Sequence, residues 1–322
     1  MPEKQPPLVS IVVPAYNEIE NLPLLYEELQ KVFSDTDRSW ELLVVDDAST
    51  DGTLQWLREL SRKDPRVRFV SFSRNFGHQA GVTAGLQYAC GKAVIVMDAD
   101  LQDPPELLPE MIRQWQEGNQ IVIAKRRSRE GESFLKRFFA WAYYRLLSRL
   151  SETGVHLDAG DFCLMDRRVV DELNAMPERN RYIRGLRAWV GFKTVEVPFD
   201  RKARHAGEVK YTFSKSLRLA LDGILSLSQK PLRLATYLGL ITGGFSLVMV
   251  GLVIYWRFFT ESPLVGYAMI VTAILVIGSI QLLVIGIVGE YVGRIYNEVK
   301  GRPHFVVKEA SPDEVSQEQS LP

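Results

Sequence analysis

Two apolar runs near the C-terminus, Leu232 to Trp256 and Tyr267 to Val288, follow a long stretch that reads as a soluble α/β domain. Each is long enough to cross roughly 30 Å of hydrocarbon as a helix, and neither GLITGGFSLVMVGLVIYW nor AMIVTAILVIGSIQLLVIGIV offers a polar face to water. A buried helical hairpin is the alternative, but the missing polar face favours lipid, so chemistry in water is tethered to a membrane. Lys215, Arg218 and Lys230 precede the first run, Arg233 stands at its very start, and Arg294, Lys300, Arg302 and Lys308 follow the second, whereas the connector Arg257 to Gly266 has one Arg and one Glu. That asymmetry puts both termini in the cytoplasm. The opening MPEKQPPLVS lacks the apolar core of a signal peptide, which agrees with a domain that stays there.

Composition removes several classes. The 39 Lys and Arg balance 39 Asp and Glu, so no global basic field calls for nucleic acid. Cys90 and Cys163 stand alone in sequence, which supports neither a disulfide framework nor a cysteine metal site. The tail after Lys308, EASPDEVSQEQSLP, is polar and poor in apolar anchors, and disorder is the expectation.

The first half repeats one pattern. Val9 to Val13 reads as a buried parallel strand stopped by Pro14, and the Leu22, Leu25, Leu29 and Val32 stripe reads as a helix packed on it. Leu42 to Val45, VRFVSFSRN and AVIVM give further strands, with TLQWLRELSR, QAGVTAGLQYAC and ELLPEMIRQW as helices. Such units build an open sheet whose ligands lie beyond the C-terminal ends of its strands. Polar residues directly after strands are therefore the candidates: Pro14, Tyr16, Asn17 and Glu18; Asp46 and Asp47; Asp98, Asp100 and Gln102. Two carboxylates one residue apart, Asp98 and Asp100, can hold a hard divalent ion that neutralises phosphate, with Gln102 a weaker oxygen donor. A carboxylate at Asp46 or Asp47 can accept from a base N–H or a ribose hydroxyl, while Ser49 or Asp51 can cap the next helix. Neither a G-x-G-x-x-G turn nor a G-x-x-x-x-G-K-[ST] loop is present, which disfavours a dinucleotide dehydrogenase or a P-loop ATPase.

VVPAYNEIENL, LLVVDDASTDGT, FSRNFGHQAGVTAGL, VMDADLQDPPELLPEM and AGDFCLMDRR, in that order, resemble the family 2 glycosyltransferases that load a sugar onto a polyprenyl phosphate. With the two C-terminal runs, the resemblance extends to bactoprenol glucosyltransferases, undecaprenyl-phosphate aminoarabinose transferase and dolichyl-phosphate mannose synthase. It implies a GT-A fold, a Rossmann-like open and mostly parallel sheet, followed by interfacial helices and two transmembrane helices. The implied divisions are a catalytic domain over 1–212, an interfacial helix over 213–231, a hairpin over 232–289 and a cytoplasmic C-terminal segment over 290–322.

The resemblance also implies a nucleotide-sugar donor, UDP-linked in the glucosyl branch, held by Pro14, Tyr16, Asn17, Glu18, Asp46, Asp47 and Asp98 with Arg74 and Asn75 nearby. Asp98, Asp100 and Gln102 match the metal-binding turn for Mg²⁺ or Mn²⁺. Asp161, in the GDF signature, matches the catalytic-site aspartate, with Asp158 second. Since a prenyl phosphate is mostly ionised near neutrality, that carboxylate is expected to orient as much as to remove a proton. Arg126, Lys210 and Tyr211 match acceptor-phosphate positions, and Arg127, Lys136 and Arg137 are neighbouring cations; Val209 departs from the serine of many relatives.

Phe134 to Leu150 and the segment before Pro231 mix bases with aromatic or apolar residues, which suits helices lying in the lipid interface. The implied activity is inverting transfer of one hexose, with glucose favoured, to undecaprenyl phosphate at the inner membrane's cytoplasmic leaflet. Membrane lipids are partners and nucleic acid is not; the paired spans and amphipathic surface suit a homo-oligomer, and some members of the resembled family assemble as tetramers. A processive polysaccharide synthase shares the N-terminal motifs but needs more spans and a QxxRW-like motif. A non-enzymatic membrane protein leaves the acidic strand ends unexplained.

Overall fold

The computed structural model describes residues 7–34, 38–127, 160–179, 181–200, 230–259 and 266–311. Strands β1 (Val9–Ala15), β2 (Trp40–Asp46), β3 (Val67–Phe72), β4 (Ala93–Val96), β5 (Ile121–Arg126), β6 (Cys163–Asp166), β7 (Thr194–Phe199) and β8 (Val307–Ala310) form one sheet in the order β7-β5-β6-β4-β1-β2-β3-β8. Neighbours β3, β2, β1 and β4 run parallel, β6 runs against both β4 and β5, and β8 runs against β3. The mostly parallel, Rossmann-like GT-A arrangement expected from the alternating motifs is what the chain forms.

Period-two alternation explains why the sheet is covered on both faces. Val9, Ile11 and Val13 of β1, with Leu42 and Val44 of β2, pack against Leu22, Leu25 and Leu29 of α1 (Leu22–Ser34), Leu57 of α2 (Thr53–Lys63) and Met111 and Ile112 of α4 (Leu108–Gln116). Val12, Leu43 and Val45 face Val82 and Leu86 of α3 (His78–Tyr88), Val169 and Leu173 of α5 (Arg167–Ala175), and Ile183 and Leu186 of α6 (Ile183–Trp189). Strands buried on both faces must be almost wholly apolar, as these are.

Helix α3 lies unusually close to β1. A Cβ added at Gly85 would sit 2.0 Å from Val12 Cγ1, and one at Gly81 would sit 3.0 Å from Pro14 Cβ. These two glycines, one helical turn apart, let the N-terminus of α3 approach the end of β1.

Pro14 does not stop β1, contrary to expectation: the strand continues in register with β2 through Ala15. The ladder with β4 ends at Val12 and Val96, and Ala15 O faces β2, where it accepts from Asp47 N at 2.9 Å. The proline's missing N–H therefore points to the side that β4 has vacated, and no ladder bond is lost.

The segment after the second apolar run is also more ordered than its composition suggests. Glu309 and Ala310 belong to β8, Arg58 makes a bidentate pair with Glu309 at 2.8 and 2.5 Å, and Ser311 is buried. Edge pairing supplies hydrogen bonds that a polar stretch cannot obtain from apolar burial.

The apolar runs form α7 (Lys230–Phe259) and α8 (Gly266–Val299), each extending beyond its apolar core. Their membrane-length windows, Ala235–Leu252 and Val276–Val299, are 6% and 0% buried, so neither is packed as a core helix of this chain. Side chains such as Leu240, Phe245, Leu247, Ile274, Leu282 and Ile285 are exposed along their length. Both are long enough to cross a membrane.

Candidate active site

The candidate residues converge because parallel strands deliver their C-terminal ends to one edge of the sheet. Tyr16, Asn17 and Glu18 follow β1, Asp46 closes β2 and Asp47 follows it, Arg74 and Asn75 follow β3, Asp98 to Gln102 follow β4, and Arg126 closes β5. Antiparallel β6 brings its beginning to this edge: Cys163 pairs with Val96, which sets Asp161 beside the turn that starts at Met97. Asp158, Lys136, Arg137, Lys210, Tyr211, Val209, the expected interfacial helix over Phe134 to Leu150 and residues 213–229 of the second lie outside the described residues, whereas Lys230 and Pro231, expected to end the second, belong to α7.

Around β1 and β2 the polar residues build a framework. Asn17, at φ 58°, donates its N–H to Ser49 Oγ at 2.9 Å and accepts from Thr50 N at 2.8 Å. Glu18 accepts from Asn21 Nδ2 at 2.7 Å, and Tyr16 is exposed. Asp46 is fully buried, accepting from Ser49 N at 3.1 Å and Ser71 Oγ at 2.7 Å. Asp47 accepts from Phe76 N at 2.6 Å and Gly77 N at 2.8 Å, anchoring the loop after β3. Burial raises the Asp47 carboxyl above its ordinary value despite those two donors. On the same loop, the Arg74 guanidinium lies 3.9 Å from the Phe76 ring centroid. Helix α2 takes its N-terminal acceptor from Asp51, whose Oδ1 receives Thr53 N at 3.0 Å, while Ser49 serves Asn17.

The β4 turn concentrates negative charge. Leu101 adopts φ 59°, a left-handed conformation that folds the turn so that Asp100 Oδ1 accepts Gln102 N at 3.1 Å. Asp98 N donates to Asp103 Oδ2 at 3.1 Å, and Asp100 and Asp103 are buried. Burial, reinforced by the charges of Asp161 and Asp100, raises Asp98 above the usual carboxylate range. Burial and the neighbouring Asp98 push Asp103 up to about 7. Among the described residues, no three His, Cys, Asp or Glu side chains form a ready-made metal cage. The turn instead offers Asp98 and Asp100 as a two-carboxylate oxygen donor set, the ligand chemistry that suits a hard divalent ion.

Two residues outside the sequence candidates complete this edge. Arg184 grips Asp161 through two 2.7 Å hydrogen bonds, from Nε to Oδ1 and from Nη2 to Oδ2, and His78 Nε2 stands 3.2 Å from Oδ2. Burial alone would raise Asp161, but the Arg184 fork and His78 outweigh it and hold the carboxyl well below the usual range. The imidazole is raised: burial opposes its proton, while the Asp161 hydrogen bond and the charges of Asp98 and Asp161 favour it. Arg184 lies in YIRGLRAW without a nearby motif, and His78 looks isolated in sequence. Only the fold shows that α3, α6 and the β6 entry meet. Asp166 caps α5, accepting Arg168 N at 3.0 Å.

The basic strand end separates into different roles. Lys125 pairs with Glu196 at 2.7 Å and Arg127 approaches Asp200 at 3.5 Å, whereas the exposed Arg126 contributes positive charge toward Asp103.

With this geometry established, comparison with known proteins settles the family. Residues 10–173 match the model for glycosyl transferase family 2. The chain belongs to that family. Residues 230–295 match the GtrB C-terminal hairpin. The family member is 46% identical over 301 residues to the uncharacterized glycosyltransferase YkcC of Bacillus subtilis (strain 168), covering 94% of this chain and 93% of the relative. It is 39% identical over 302 residues to the SfII prophage-derived bactoprenol glucosyl transferase of Shigella flexneri, covering 94% and 98%. Among solved structures, glucosyl-3-phosphoglycerate synthase from Mycobacterium tuberculosis, in complex with Mn²⁺, UDP-glucose and phosphoglyceric acid, superposes with a TM-score of 0.51 at 23% identity. That match covers 68% of this chain and 79% of the synthase and shares the fold. The family chemistry is sugar transfer from a nucleotide-sugar donor.

Proposed function

We propose that this glycosyltransferase moves a single hexose, with glucose from UDP-glucose the leading donor, onto a polyprenyl phosphate, undecaprenyl phosphate in a bacterial membrane. The observation that carries the reading is an acidic nucleotide-sugar edge on a sheet whose chain continues into two exposed helices of membrane length. Full-length similarity to a bactoprenol glucosyl transferase supports the acceptor class.

In this reading, Pro14, Tyr16, Asn17 and Glu18 flank the nucleoside, while Asp46 and Asp47 fix the loops that carry Arg74 and Asn75. Asp98 and Asp100, with Gln102 adjacent, would hold Mg²⁺ or Mn²⁺, which supplies positive charge beside the donor diphosphate. Arg126, with Arg127, Lys136, Arg137, Lys210 and Tyr211, forms the acceptor-phosphate side. An ionised phosphate oxygen attacks the anomeric carbon as the nucleoside diphosphate leaves, and a single displacement inverts the linkage. Asp161, paired on both oxygens, is a poor proton acceptor; it orients Arg184 and His78 toward the reacting phosphates. Asp158 is the second carboxylate in this role.

The sheet topology supports one membrane orientation. β7 precedes the hairpin and β8 follows it, yet both belong to one sheet, so an intact domain requires an even number of crossings. Two crossings satisfy this, and flanking Lys and Arg favour the cytoplasmic side at the inner membrane. A homo-oligomer, with a tetramer as one form, is part of the proposal.

The test is transfer from a panel of labelled UDP- and GDP-sugars to undecaprenyl phosphate by purified protein in detergent, followed by mass analysis of the lipid product. One added hexose from one donor supports the proposal. A polymer points to a processive synthase, and no lipid-linked sugar from any donor defeats the acceptor assignment.

A further inference from the structure

The segment that returns from α8 reaches the wall of the proposed donor pocket. Five residues, 300–304, separate the end of α8 from Phe305. The Phe305 ring stacks on Phe72 of β3 at a centroid distance of 4.9 Å and an interplanar angle of 18°. Val306 O accepts Ser73 N at 2.9 Å, immediately before the loop Arg74–Gly77. Phe72 also meets Phe76 edge-on at 5.7 Å, and Phe76 N and Gly77 N are the groups that Asp47 holds. The loop is thus gripped from two sides, by Asp47 just after β2 and by Phe305–Val306 on the returning chain. Farther along β8, the Arg58–Glu309 pair and the 3.0 Å bond from Ser311 N to Phe69 O secure the strand without touching this loop.

We infer that Phe305 is a positioning residue that preorganises the Arg74–Gly77 loop for the donor nucleoside. The inference rests on the proposed nucleotide-sugar reading of this edge. The ring stacked on Phe72 and the bond to Ser73 lie at the end of the β3–β8 ladder nearest the Arg74–Gly77 loop, at and just past its last pair Phe72–Val307, so they hold the start of the loop as well as the strand. Holding the loop before binding lowers the ordering cost of the donor, so its loss falls on donor affinity rather than on the chemical step.

The full-length protein in detergent is compared as wild type, Phe305→Ala, Phe305→Tyr and Glu309→Gln, by donor kinetics and by hydrogen exchange at Ser73, Phe76 and Gly77. Phe305→Ala is expected to raise the donor KM about fivefold, leave kcat within about twofold and speed exchange at those three amides, given the usual worth of an aromatic pair. Phe305→Tyr restores both readouts. Glu309→Gln lowers thermal stability but leaves the donor KM and the three amides unchanged. Unchanged exchange in Phe305→Ala, faster exchange with an unchanged donor KM, or equal KM effects from Phe305→Ala and Glu309→Gln each overturn the inference. If wild type turns over no nucleotide sugar, the functional reading fails by itself, and the exchange comparison still decides whether Phe305 holds the loop.

Discussion

Replacing Arg184 with Met tests the charge balance at the centre of the site. The substitution keeps an unbranched apolar stem and removes both 2.7 Å hydrogen bonds to Asp161, whose side chain is only 12% exposed. Stranding a buried partner of an ion pair costs about 3–5 kcal/mol in full burial. Arg184 is 35% exposed, so water screens part of that loss, and about 2 kcal/mol is the expected destabilisation at pH 7.

The pH dependence has a defined sign. Because the folded-state Asp161 is depressed, its stabilisation is present above the ordinary carboxylate value and is lost as pH falls through the lower folded value. Without Arg184, burial raises Asp161 against the His78 contact alone, so protonation of the variant relieves its penalty first. The stability difference between wild type and variant therefore narrows on acidification from pH 7 to pH 4. A double-mutant cycle of Arg184→Met with Asp161→Asn, followed by thermal unfolding in detergent at both pH values, measures the pair directly. Coupling of about 2 kcal/mol at pH 7 that shrinks at pH 4 is expected. Coupling below about 0.5 kcal/mol, or a value independent of pH, refutes the assignment of Asp161 as a held counter-ion.

Three further outcomes follow from the geometry. Gly85→Ala forces a methyl group to within 2.0 Å of Val12 Cγ1 and should cost about 1–3 kcal/mol, read as a lowered denaturation midpoint. Asp64, held at about 2 by Arg66 and Tyr26 against the opposing effect of burial, stabilises the fold above the ordinary carboxylate range and loses that contribution as pH falls toward 2. Asp64→Asn should consequently cost about 1 kcal/mol at pH 7, after discounting for the half-exposed Arg66, and little near pH 2 by denaturant titration. Asp47→Asn replaces one of the two acceptors for Phe76 N and Gly77 N with an amide and should weaken UDP binding about tenfold by calorimetry.

The fold was readable because local and long-range requirements coincide in its parallel half. Val9 to Val13 and Leu42 to Val45 are apolar on both faces, and the stripes of α1 and α2 supply the covering helices. Asp98, Asp100, Asp46 and Asp47 could be singled out because strand ends in such a sheet fall on one edge. Arg184 and His78 could not, because their significance arises from α3 and α6 meeting at Asp161, a contact across 83 residues for the histidine. Strand β8 was hidden for a related reason: VKEA carries little strand pattern and gains its conformation from the exposed edge of β3. Pro14 misled because the rule against proline in a strand depends on which neighbour faces its nitrogen.

In the proposed mechanism the Asp98–Gln102 turn is the metal-assisted diphosphate site of a nucleotide-sugar transferase. Calorimetric titration of UDP into the full-length protein, with Mn²⁺ or with chelator and in wild type against Asp100→Ala, tests it most directly. Binding that requires Mn²⁺ and falls at least about tenfold in Asp100→Ala is the predicted result. UDP binding of equal strength with chelator and in Asp100→Ala would contradict the account.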